Sequence, residues 1–152
     1  MKGALIHIYS TEWKRGIRLL NGRKQVLLQD DINASDSIMW RMHTNATVEI
    51  SGTSATLTIG DKKLQMTILN PPDGVTMTQG PAQRLSTDPP LIDNQVDQPN
   101  PGVTVVMINL PAGQYSLQVL FNPQWDGMSA SDFVTPPSVP IDNWSLTSHN
   151  SQ

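Results

Sequence analysis

The chain has 152 residues, 38% of them apolar, with 12 prolines, no cysteine and a formal net charge of −3. That length suits one domain with one core, and the modest apolar fraction and plentiful proline assign a good share of the chain to loop and tail. The lack of cysteine excludes disulfides, thiolate metal sites and a cysteine nucleophile, and no apolar run is long enough for a membrane-spanning helix.

The charge is unevenly placed. Residues 1–24 hold six cations, Lys2, Lys14, Arg15, Arg18, Arg23 and Lys24, against Glu12 alone, a net +5, and the remainder carries a net −8. A basic edge of this kind can face an acidic polymer such as a uronate chain, or it can be a solvated strand edge that charge protects from aggregation. Nucleic acid is a poor fit, because aromatics do not interleave with the cations and the domain as a whole is acidic.

In chain order, the opening "MKGALIHIYSTEW" is too short and too interrupted in its apolar residues for a signal peptide or membrane span. Residues 1–12 are set apart as a segment of their own, and the folded domain is expected over 13–127. "KRGIRLLNGRKQVLLQDD" predicts two strands turned around Asn21-Gly22, a dipeptide that accepts the positive φ angles of tight turns. The next run puts Ile38, Trp40 and Met42 on one face and Met39, Arg41 and His43 on the other, the pattern of a half-buried strand. Alternation then places Val48, Ile50, Leu57, Ile59, Leu64, Met66 and Ile68 inward, until Asn70-Pro-Pro-Asp-Gly stops the ladder.

Residues 80–102, rich in proline and acid, are expected to form one long loop. "GVTVVMINL" and "QYSLQVLF", joined by Pro111-Ala-Gly113, predict two closing strands, with Tyr115, Leu117, Val119 and Phe121 alternating against Ser116, Gln118 and Leu120. Beyond "NPQWDG" the periodicity ends, and the tail 128–152 is expected to be disordered. The fold class is all-β: an antiparallel β-sandwich with a long Pro-rich loop and a disordered C-terminal tail. Asn33, Asn45 and Asn143 each open an Asn-X-Ser/Thr triplet and are candidate glycosylation sites.

The stretches "KRGIRLLNGRKQVLLQDDI", "WRMHTNATVEISGTSATLTIG", "LQMTILNPPDGV" and "DQPNPGVTVVMINLPAGQYSLQVLFNPQW" together resemble the C-terminal part of fungal heparinase II/III-like proteins. The resemblance runs from about Trp13 to Trp125. It implies a β-sandwich that packs beside a helical toroid domain and shares a cleft with it, in polysaccharide lyases that are secreted and cleave uronate-containing chains by β-elimination. No segment of this sequence reads as the toroid, so the expectation is a supporting domain that is inactive alone. The alternatives are a freestanding module that binds acidic polysaccharide and an inactive fragment.

β-Elimination from a uronate requires neutralisation of the carboxylate, a base for the C5 proton and an acid for the leaving oxygen. The candidates here are His43 and Arg41, with Tyr9 more remote. His43 stands in a Trp-X-X-His stretch that resembles a family motif, and in some relatives a sandwich histidine helps bind zinc, which the resemblance extends to His43 as a candidate ligand. Zinc needs three or four ligands held together, and the other histidines, His7 and His149, lie near the chain ends. The plainer reading of His43 is a strand residue bonded to its neighbours. Alternation puts Trp40 in the core, leaves Trp125 either packed at the sandwich end or exposed as a sugar platform, and says little of Trp13 and Trp144.

Overall fold

The computed structural model describes residues 10–145 apart from Thr87, Asn94 and Pro99. It is an all-β protein, two antiparallel sheets packed face to face. The strands are β1 (Ser10–Leu20), β2 (Gln25–Ala34), β3 (Ile38–Thr44), β4 (Thr47–Ser51), β5 (Ser54–Ile59), β6 (Lys62–Leu69), β7 (Met77–Pro81), β8 (Thr104–Leu110) and β9 (Gly113–Pro123). The large sheet has the order β1-β2-β9-β6-β5-β4 and the small one β3-β8-β7.

The first hairpin forms where the sequence places it, with a longer turn. Leu20 pairs with Gln25, so four residues make the connection, and Asn21, Gly22 and Arg23 all take left-handed φ angles of 51°, 64° and 70°. Asn and Gly tolerate that region readily, whereas Arg23 is held there by the closure of the loop, in which the Lys24 N–H donates to the Asn21 carbonyl at 3.3 Å. β1 begins at Ser10, ahead of the expected domain start at Trp13, with a register shift between Ser10 and Glu12.

Ile32, Trp40, Val48, Leu57, Met66, Ile68, Val106, Ile108, Leu117 and Val119 fill the space between the sheets. Trp40 is in the core as its alternation predicts, whereas Ile59 is 61% exposed. It ends β5 just before the Gly60-Asp61 turn, and the smaller sheet does not cover it. β7 is a strand the sequence reading passed over. Its signal was weak: Val75, just ahead of the strand, and Met77 are both buried, and only Met77 of the strand's five residues is a large apolar residue. Pro81 is tolerated because β7 is an edge strand. The long loop accordingly occupies 82–103.

Both outer faces are covered in part. On the small sheet, Val105 alternates with the core position Val106 yet is fully buried, and the loop start runs close by, the Ala82 N–H donating to the Val103 carbonyl at 3.2 Å. On the large sheet the cover comes from residues 128–145. They have little regular structure, as the lost periodicity predicts, beyond 3-10 turns at Ala130–Asp132 and Ile141–Asn143. They are nevertheless tied to the sheet by hydrogen bonds, because polar side chains of β2 and β9 capture their backbone. Residues 146–152 lie outside the described residues.

Candidate functional site

Arg41 and His43 sit two residues apart on β3, opposite Met107 and Val105 of β8. Their side chains emerge on the outer face of the small sheet. His43 is exposed, and Arg41 is half-buried, its Nη2 making a long contact of 3.5 Å to the Gln83 carbonyl and its Nε buried with no partner among the described residues. The loop start thus borders the Arg41 side chain at Gln83. No three of His, Asp and Glu lie close enough to hold a metal among the described residues. His43 therefore lacks companion ligands there, and His7, Tyr9 and His149 lie outside the described residues.

The strongest polar constellation lies elsewhere and was missed in the sequence. Asp30, fully buried on the core side of β2, accepts hydrogen bonds from Trp13 Nε1 at 2.9 Å, Arg15 Nε at 2.7 Å, Arg15 Nη2 at 2.8 Å and Trp40 Nε1 at 3.0 Å. One carboxylate thereby joins β1 and β2 of the large sheet to β3 of the small one. A buried charge needs this degree of satisfaction to be tolerated. The Asp30 carboxylate, bonded to the Arg15 guanidinium, raises its pKa against the opposing effect of burial, and the guanidinium also lies 5.9 Å from the Trp13 ring centre. The signal was present in the sequence: alternation places Asp30 inward between Leu28 and Ile32, and a carboxylate at a core position must have partners.

A second polar group occupies the outer face of the large sheet. A cleft of about 390 Å³ opens there, lined by Glu12, Lys14, Asp31, Tyr115, Ser116 and Asp142 among others. Its one cation among the described residues, Lys14, is shared by its carboxylates. Lys14 Nζ lies 2.9 Å from Glu12 and 2.7 Å from Asp142, and its pKa is raised by those two hydrogen bonds. Burial pushes the Asp31 carboxyl upward, but the Ile141 N–H, the Gln29 amide, the Ser116 hydroxyl and the Lys14 charge outweigh it and leave the pKa lowered.

Part of the basic N-terminal segment is therefore neutralised within the fold. Lys14 and Arg15 are paired with carboxylates, and Arg18 lies 5.1 Å from the Trp144 ring centre. The two hairpin-turn cations, Arg23 and Lys24, stay exposed.

The remaining candidates separate by position. Asn45, in the short link between β3 and β4, and Asn143 are exposed, as an acceptor asparagine must be. Asn33 is half-buried in β2, between Glu12 of β1 and Gln114 of β9. Trp125 is mostly exposed and donates to the Lys24 carbonyl at 3.2 Å. No family model matches the chain, and no curated protein is significantly similar to it.

Proposed function

We propose that the chain is a supporting β-sandwich of the kind found in the C-terminal part of heparinase II/III-like polysaccharide lyases, one that packs against a helical catalytic domain and does not itself cleave uronate. The observation that supports this reading is an uncovered strip on the core side of the large sheet. Ile17 and Leu19 of β1 are 64% and 54% exposed, next to half-buried Val26, Leu28 and Phe121 on the adjoining strands. The three-stranded sheet leaves this end of the longer strands bare. Covering a Leu or Ile side chain contributes roughly 1.5–3 kcal/mol, and a helix laid on a sheet face is a common way to complete such a layer. Arg41 and His43 stand on the far layer, so this reading gives them no catalytic step.

The internal pairing of Lys14 and Arg15 weighs against a freestanding acidic-glycan module that would use those charges. The test of the proposal is incubation of the chain with heparin, alginate and related uronate polymers while following the ultraviolet absorbance of the unsaturated product. The expected result is a flat trace. A steady rise with this chain alone would overturn the reading, and loss of that rise in His43→Ala would make His43 a catalytic residue.

A further inference from the structure

Gln25, Gln29 and Gln118 are fully buried although they lie on the outer face of the large sheet. What buries them is the chain's own segment 128–145. Gln25 makes a reciprocal pair with Val134, its Oε1 accepting from the Val134 N–H at 2.9 Å and its Nε2 donating to the Val134 carbonyl at 3.0 Å. Gln29 Nε2 donates to the Val139 carbonyl at 2.8 Å and Gln118 Nε2 to the Pro137 carbonyl at 3.4 Å. Asp31 accepts from the Ile141 N–H at 2.7 Å, and Asn21 donates to the Asp132 carbonyl at 2.7 Å.

Each of these contacts addresses main chain. Pro136, Pro137 and Pro140 have no N–H, so the segment cannot join a strand ladder, and its carbonyls are left for side-chain donors. Side chains of the segment help to fix the register, Asp142 on Lys14 and Trp144 on Gly16. The Trp144 ring lies over Gly16, where a Cβ would come within 2.5 Å of it, and it packs with Leu20, Leu27 and Leu120. Gln118 Oε1 remains buried with no donor among the described residues.

We propose that this face is a recognition groove for an extended, proline-containing segment ending in tryptophan, and that residues 128–145 of a second copy can fill it by exchange. An exchanged pair can reuse the groove contacts by reopening the link 124–127, which is exposed and is held to the sheet by the Gln124 N–H on the Lys63 carbonyl and the Trp125 Nε1 on the Lys24 carbonyl. There it opens the short bond from the Met128 N–H to the Trp125 carbonyl, 3.1 Å in length. Such exchange is a low-cost route to a dimer.

The experiment uses two full-length variants. One carries Ile141→Pro and Trp144→Ala, which damage the segment and leave the groove intact. The other carries Gly16→Leu and Gln29→Leu, which damage the groove and leave the segment intact. Mixed at high concentration, the two should give a heterodimer by native mass spectrometry at least about tenfold more abundant than either homodimer. The first variant should also bind a synthetic peptide of residues 128–145 saturably, with affinity about tenfold weaker for the Trp144→Ala peptide. Failure of the folded first variant to bind the peptide would overturn the proposal. Should either variant not fold, the unmodified chain is incubated concentrated with labelled peptide, and absence of both dimer and incorporated peptide would overturn it equally.

Discussion

Replacing Asp30 by alanine removes the acceptor that four donor contacts share. Trp40 is 3% exposed, so its N–H cannot turn to water, and a buried donor left unsatisfied costs about 1–3 kcal/mol. Trp13 is only part-buried, and its N–H adds about 1 kcal/mol. The Arg15 side chain is 46% exposed and can rehydrate, so the loss of its ion pair contributes only about 1 kcal/mol. The Asp30→Ala variant should therefore lose about 3–5 kcal/mol, a downward shift of about 2 M in urea midpoint at an ordinary denaturant dependence. Urea unfolding followed by tryptophan fluorescence measures it, because Trp13 and Trp40 both report on the site. A loss below about 1 kcal/mol would refute the assignment of Asp30 as the tie between the two sheets.

The lowered pKa of Asp31 sets a pH dependence. The stability it contributes is fully present above the ordinary carboxyl value of 3.8 and is lost as pH falls through its lower value in the folded state. Amide exchange at Ile141 should stay slow down to that lower pH in the unmodified chain, and Asp31→Asn should abolish the transition. Gly16→Ala drives a Cβ into the Trp144 ring, at a cost of about 1–3 kcal/mol. Limited proteolysis should then cut near residue 144 far sooner than in the unmodified chain. Ile17→Thr with Leu19→Thr should leave the unfolding free energy within about 0.5 kcal/mol of the original while lowering binding of a hydrophobic dye. Unchanged dye binding would mean the strip is covered in solution.

Most of the strand pattern was legible because one face of each strand is apolar and the period of two survives in the sequence. β3 illustrates it: Ile38, Trp40 and Met42 read inward and pack inward. The reading stopped at Gln25, Gln29 and Gln118. Polar residues at alternate positions announce a solvated face, whereas here they bind a covering segment through its backbone. That segment showed no apolar period because its attachment uses its carbonyls and N–H groups, which every sequence has. Asp30 was visible as an acid at an inward position, but its donors come from Trp13, Arg15 and Trp40, two of them on another strand of the same sheet and one across the core. The charge bias of the first 24 residues did not show which cations are paired, since a partner such as Asp142 lies far along the chain.

The claim that this sandwich acts by packing, with Lys14 and Arg15 of its basic edge paired internally, is tested most directly by chromatography on immobilised heparin at low ionic strength. The account predicts that the chain passes through without delay. Firm retention released steeply by added salt would contradict it, because that behaviour requires cations free to meet a polyanion.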